Sequence, residues 1–318
     1  MTADADAFAA LRPLMFSIAY RMLGSAAEAE DVVQEAYLRY SRALDEGAAI
    51  DSPKAYLSAV VTRLSIDELR SARARRETYS GEWLPEPLLT DEAAPDPAEL
   101  AERSDSLSMA FLLVLERLSP VERAVFLLHD VFGYDFEEIA GIVERSAANC
   151  RQIAVRARKH VEAGRPRFEP SPEERDELAG RFFAAVTGGE VDELVEMLAA
   201  DVTVYGDGGG KVPQWSRPIT GVERVARLFA NLGRRIVAMG GTVEPREVNG
   251  QPGAVVRDAE GELVNVFALD VAGGAVQTIR SVINPDKLRH LGPVADVWAL
   301  LATERDSRST ARDRRPPG

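Results

Sequence analysis

Apolar residues recur every three to four positions through residues 8–23 and again at Ala29, Val32, Val33, Ala36, Tyr37 and Tyr40, which predicts two amphipathic helices broken at Gly24. Ser25 opens the second, with Glu28 as its capping-box partner. Its inward face leaves Glu28, Asp31, Gln34 and Glu35 together on the outer one, an acidic stripe suited either to solvent or to a basic partner helix. Ser52 and Pro53 start a third helix that runs to about residue 79. That helix is apolar in its first half and gathers Arg63, Arg70, Arg73, Arg75 and Arg76 in its second.

The periodicity stops in residues 81–104, GEWLPEPLLTDEAAPDPAELAER from Gly81, where four prolines and a run of acids favour an extended, solvated tether. Within it Trp83, Leu84 and Pro85 are apolar and are expected to pack on a domain surface. Periodicity returns with three capped starts: Ser119 with Pro120 and Glu122, Asp135 with Glu138, and Ser146 with Asn149. A helix over 136–143, a three-residue turn and a longer basic helix form the outline of a helix-turn-helix. Cys150, Ile153, Ala154, Ala157 and Val161 share its packing face. Gln152, Arg156 and Lys159 fall on the opposite face and Asn149, Arg151 and Arg158 on the flanks, suited either to solvent or to DNA, where Asn149, Arg151 and Gln152 are candidates for base edges and Arg156, Arg158 and Lys159, with Arg165 and Arg167 beyond, for phosphates.

From residue 172 the pattern changes to helices over 173–186, 191–199 and 221–232, with a strand over 202–205 between the last two. Four β-rich runs follow, at 241–248, 254–257, 263–271 and 275–283, separated by turn signals. They predict an antiparallel meander packed on helices, an α+β domain separate from the helical pair. A last helix is expected over 294–302, with Trp298 packing back, then a polar, basic, proline-ended tail.

At 318 residues the chain has room for two or three domains, and a net charge of −13 confines nucleic-acid contact to local basic patches. One cysteine, Cys150, excludes an internal disulfide and suits a reducing compartment. His129, His160 and His290 make no metal-ligand cluster with it, so no metal or cofactor is expected. No apolar run is long enough to span a membrane and the start lacks a secretory pattern, so a cytoplasmic protein is expected. The stretch Asp207, Gly208, Gly209, Gly210, Lys211 lacks the spacing of a phosphate loop.

The order of an acidic helix, a helix ending in DELRSARARR, an acidic proline-rich tether and a helix-turn-helix resembles the two-domain core of bacterial extracytoplasmic-function sigma factors. The resemblance implies an RNA polymerase subunit with no catalytic residues. It implies docking of Asp31, Gln34 and Glu35 on the beta-prime clamp coiled coil, contact with the beta flap, reading of the −10 element from Arg63 to Arg76 and of the −35 element from Asn149 to Lys159. The second half is similar to the SnoaL-like members of the cone-shaped NTF2-like fold, which a subgroup of these factors carries at its C-terminus. The motifs of that subgroup stand here as WLPEP from Trp83, DGGGK from Asp207 and NPDKL over Asn284, Pro285, Asp286, Lys287 and Leu288. The fold class is therefore multidomain: two all-α helical domains and an α+β cone. The implied division is region 2 over 1–80, linker over 81–104, region 4 over 105–167, a regulatory cone over 172–290 and a tail over 291–318. The cone is expected to clamp the helical units, with Lys211 and Asp286 paired. A small-molecule ligand and an anti-sigma-like partner both stay open. The rival readings are a stand-alone helix-turn-helix regulator and a cyclase or isomerase carrying a helical appendage.

Overall fold

The computed structural model of the protein describes residues 3–77, 79–90, 106–163, 171–215 and 217–303. The chain divides into two compact units, Met1–Thr78 with Asp96–Arg165, and Tyr79–Pro95 with Pro166–Gly318. The first part of the expected linker thus folds with the C-terminal unit.

The helical unit starts with α1 (Ala3–Leu23), α2 (Ala26–Asp45) and α3 (Pro53–Glu77), α1 packing against both of the others. Gly24 separates α1 from α2 with a φ of 67°, and the Ser25 hydroxyl accepts the Glu28 amide, so the break and the new helix start are written in adjacent residues. A short helix, α4 (Met109–Leu115), precedes α5 (Pro120–Phe126), which continues through a π-helical turn, Leu127–Val131. The sequence MAFLLVL is apolar all round, so its periodicity carries no helix signal, and only the Ser108 cap marks it. The helix-turn-helix is α6 (Phe136–Val143) and α7 (Ala147–Glu162), with a full capping box at Asp135 and Glu138. Glu144 makes the turn between them in the left-handed region, at φ 56°. Tyr37, expected inward, is 37% exposed and lies against the Phe8 ring.

The C-terminal unit packs α8 (Pro172–Gly188), α9 (Val191–Met197) and α10 (Val222–Ala238) into the face of a mixed sheet. Its strands are β1 (Leu198–Asp207), β2 (Ile219–Thr220), β3 (Thr242–Val248), β4 (Gln251–Arg257), β5 (Leu263–Ala272) and β6 (Ala275–Val282), ordered β2-β1-β6-β5-β4-β3. The meander from β3 to β6 is antiparallel, but β1 lies parallel to β6, Tyr205 opposite Arg280. The four runs thus form the expected antiparallel meander, and the earlier strand, whose pairing the sequence left open, joins it in parallel: the two partners lie at opposite ends of the domain's sequence, and nothing local in either strand specifies the pairing. Phe182, Phe229 and Phe267 run through the core as tilted ring pairs with centroids 5.6 and 5.4 Å apart. This helix-filled curved sheet is the cone that the resemblance implies.

Helix α10 also runs past the expected stop at Leu232. Gly233, which reads as a terminator, sits inside it because a Cβ there would come within 1.8 Å of the Val186 carbonyl oxygen of α8. Gly233→Ala is expected to force these helices apart and cost about 1–3 kcal/mol, read as a lower denaturant midpoint with little change of slope. A variant as stable as the parent would mean the helices are not held at that distance.

Candidate functional site

Three surfaces carry the candidate residues. On α2, Asp31 and Gln34 are exposed, and Glu35 is half-buried and bonded to Arg39 at 2.7 Å. Exposed Leu38 stands beside them, 55% accessible, so this face is acidic with an apolar edge. On α3, Arg70 is exposed and paired with Asp67. Arg63 donates instead to the carbonyls of Ile142 and Gly141 at 2.9 and 2.7 Å, with Glu144 at 3.6 Å. It caps the carbonyl end of α6, where an arginine is favoured by the orphan acceptors and the helix dipole. The side chains of Arg73, Arg75 and Arg76 lie outside the described residues, as do Arg165 and Arg167.

On α7 the division into faces is complete. Cys150, Ile153, Ala154, Ala157 and Val161 are buried, and Asn149, Arg151, Gln152, Arg156 and Lys159 are all exposed. Burial pushes the Cys150 thiol up, consistent with a packing role. The arginines are held in place by acids of the same unit: Arg151 by Glu137 at 2.7 Å, Arg158 by Asp130 at 2.7 Å and Arg156 by Glu122 at 3.8 Å. Burial alone would raise the Glu122 carboxyl, but the Ser119 hydroxyl and amide, with Arg156 and His160 near, take it below its ordinary value.

The third site is the strap Tyr79 to Thr90, seated on the cone. Asp207, wholly buried at the end of β1, is its anchor. Its carboxylate accepts the Leu84 amide at 2.9 Å, the Tyr79 hydroxyl at 2.5 Å, the Gly209 amide at 3.0 Å and the Lys287 ammonium at 2.7 Å. Lys287 also donates to the Leu84 carbonyl and lies 4.4 Å from the centre of the Trp83 ring and 5.0 Å from that of Tyr79. Asn284 is the N-cap of the short helix Pro285–Leu288 and donates its amide to the Tyr79 oxygen at 2.9 Å. Pro285 takes the first helical position of that turn, and Leu288 is fully buried. Lys211 and Asp286 are bonded side chain to side chain.

The glycines of this loop are there for room. Gly209 has φ 61°, and a Cβ on it would meet the Asn284 amide at 2.3 Å; Gly210 has φ 69° and Ser80 beside it; Gly208 lies against Val212 and Gln214. Leu84, Pro85, Glu86 and Pro87 are buried while Trp83 is half-buried. Further along, Leu89 bridges Val248, and the amide of Thr90 reaches the Glu247 carbonyl at 3.0 Å.

The Tyr79 phenol is pushed above its ordinary value of 10.0, first by burial and then by its bond to the Asp207 carboxylate. A raised folded-state value gives stability that is present below the ordinary value and lost as pH climbs above it. Melting curves from about pH 8 to about pH 11 should therefore show the C-terminal unit weakening on the alkaline side, with a flatter limb for Tyr79→Phe. Parallel limbs for parent and variant would refute the assignment.

Two family models match the helical unit: Sigma-70 region 2 over residues 7–75 and Sigma-70 region 4 over residues 108–161. The chain is 39% identical over 292 residues to the ECF RNA polymerase sigma factor SigJ of Mycobacterium tuberculosis, covering 89% of this chain and 93% of that protein. The chain belongs to the extracytoplasmic-function sigma factors. Members of that family direct RNA polymerase to promoters and are not enzymes, which decides against the operator-binding and cyclase readings. The sigma factor is also 32% identical over 286 residues to a probable ECF RNA polymerase sigma factor SigI of the same species, covering 89% of this chain and 93% of the relative. Its structure matches the crystal structure of M. tuberculosis SigJ with a TM-score of 0.71 and 35% identity, covering 92% of this chain and all of that one. No helix among the described residues is long and apolar enough to cross a membrane.

Sequence reasoning passed over several residues of the sigma factor's strap site. Tyr79 reads as the last residue of a helix and is instead a ligand of Asp207. Asn249, read as part of a turn, is fully buried at φ 54°; its side chain accepts the Leu88 amide at 2.9 Å and its own amide donates to the Leu88 carbonyl. His290 donates to the Pro87 carbonyl at 2.8 Å. Asn-Gly was the available signal, since asparagine tolerates the left-handed region and carries a matched donor and acceptor.

Proposed function

We propose that this sigma factor brings core polymerase to its promoters through three separate surfaces and that the cone governs one segment between them. The α2 face with Asp31, Gln34 and Glu35 docks on the beta-prime clamp coiled coil, and region 4 meets the beta flap. Arg70, Arg73, Arg75 and Arg76 of α3 serve the −10 element. Asn149, Arg151, Gln152, Arg156 and Lys159 of α7 serve the −35 element. Arg63 joins the −10 group only after releasing the Gly141 and Ile142 carbonyls, so its contact with DNA requires α3 and α6 to part. An overall acidic chain is tolerable because the polymerase holds both readers at high effective concentration over their elements.

The observation that carries the regulatory part is the anchoring of the strap by Asp207 and Lys287. The strap joins the two DNA-reading regions in sequence. Seated on the cone, it is withheld from any polymerase channel that a linker between those regions would occupy. The cone is thus a holder for the linker, and its grip sets how readily the factor works.

Run-off transcription with core enzyme tests this reading. The full chain should start transcripts, and removal of residues 172–318 should change their yield, because the strap loses its seat. Arg156→Ala with Gln152→Ala should lower yield by at least about tenfold on promoters with a −35 element while leaving core association intact. A chain that binds core but starts no transcript, or one indifferent to all these changes, would sink it.

A further inference from the structure

On α7 the residues opposite the packing face are Ala148, Gln152, Val155 and Lys159, all exposed and set in one row by the 3.6-residue period. Arg151 and Arg158 flank that row on one side and Arg156 on the other. A helix laid in a major groove points its central row at base edges, while cations on its flanks meet the phosphates. In that position Val155 faces the floor of the groove.

Solvent alone does not account for a valine there. It is 51% exposed, whereas Cys150, Ile153 and Val161, the other apolar side chains of α7 larger than alanine, are buried. A solvated mid-helix position favours alanine, glutamine, lysine or arginine, because a β-branched side chain loses rotamer freedom against the preceding turn. The same stiffness holds its two methyl groups in one rotamer. The groups around it are also held: Arg151 lies 5.4 Å from the centre of the Phe136 ring and 2.7 Å from the Glu137 carboxylate, and Arg158 lies 2.7 Å from that of Asp130. The core of a protein–protein interface is depleted of charge, so an apolar anchor set among arginines and a lysine does not fit a protein partner. It fits a duplex, which offers phosphates at the rim of the groove and an apolar group on its floor, the 5-methyl of thymine.

We propose that Val155 packs on a thymine methyl group within the −35 element and thereby selects thymine at that step. The inference rests on the assignment of α7 to that element made above, and adds a base choice that hydrogen-bond donors do not make. Three residues of helix rise about 4.5 Å against about 3.4 Å per base pair, so the thymine lies one to two base pairs from the base met by Gln152.

The test uses the full chain with core polymerase. Holoenzyme first selects sequences from duplexes randomised across the −35 element. Each thymine of the selected element, on either strand, is then replaced in turn by deoxyuridine, which lacks the methyl group and keeps every hydrogen-bonding group. One replacement should weaken holoenzyme binding by about fourfold, the effect of exposing about one methyl group. Val155→Ala should bind the thymine duplex about fourfold less well and show no further loss on the deoxyuridine duplex. Val155→Ile, which keeps the branched methyl, should stay sensitive to the replacement. Alanine is the better helix former and the site is exposed, so Val155→Ala should melt no lower than the parent. If no thymine responds to deoxyuridine, or if Val155→Ala responds as the parent does, Val155 does not read a methyl group. If the selection shows no preference anywhere in the −35 element, the assignment of α7 fails and this proposal falls with it.

Discussion

Asp207→Asn is expected to free the strap and to lower the stability of the C-terminal unit by about 3–5 kcal/mol, the range found when one partner of a buried ion pair is removed. The Asp207 side chain is 0% exposed and that of Lys287 8%, so the variant takes the paired carboxylate away from a nearly buried ammonium. The Trp83 and Tyr79 rings and the Leu84 carbonyl remain near it, but these neutral groups offset only part of the loss. Lys287→Met should cost less, because Asp207 would still accept from the Leu84 amide, the Gly209 amide and the Tyr79 hydroxyl. The double variant should therefore be more stable than the sum of the two single losses implies, by about 0.5–3 kcal/mol. Thermal melts of the three variants measure this, and strictly additive losses would mean the pair does not act as a unit. Protease cutting within residues 79–90 should appear in Asp207→Asn under conditions where the parent chain resists.

The second large effect belongs to the helical unit. Arg123 is 2% exposed, and its guanidinium donates twice to the Leu115 carbonyl, at 3.1 and 2.7 Å, once to the Met22 carbonyl at 2.6 Å and once to the Glu116 carboxylate at 2.9 Å. Leu115 and Met22 lie in the last turns of α4 and α1, where carbonyls have no partner within their own helix. One planar fork thus satisfies two helix ends and fixes α5 between them. Arg123→Met keeps the apolar stem but removes this donor from the Met22 carbonyl and leaves the Leu115 carbonyl with the Leu118 amide alone, with an expected loss of about 3–5 kcal/mol. Arg123→Lys retains the charge but lacks the fork, and should recover less than half of the loss in a urea titration. Full recovery by lysine would show that charge alone matters there.

These two residues illustrate how much of the site the sequence made legible. Asp207 and Lys287 were visible only through the family resemblance, which singles out the DGGGK and NPDKL motifs together with the WLPEP segment. Arg123 carried no signal at all: it falls in the first turn of a capped helix, where an arginine reads as a solvated residue. The same holds for Ser58 of α3 and Tyr134 of the loop before α6, whose hydroxyls meet at 2.6 Å in the interior from segments far apart in sequence. Burial also pushes the Tyr134 phenol up.

The sequence by itself determined the helices and their limits wherever a cap, a glycine or a proline acts on its own neighbours, as at Ser25, Ser119, Asp135, Ser146 and Asn284. It determined the two faces of α7 for the same reason, since a 3.6-residue period needs no partner to be read. Only the tertiary structure decided that β1 runs beside β6, that Gly233 lies within a helix, that Tyr79 leaves its helix for Asp207, and that Arg63 caps α6. Each of these depends on a group brought close from a distant part of the chain, and the energy of such a contact is a property of the pair, which neither local segment encodes alone.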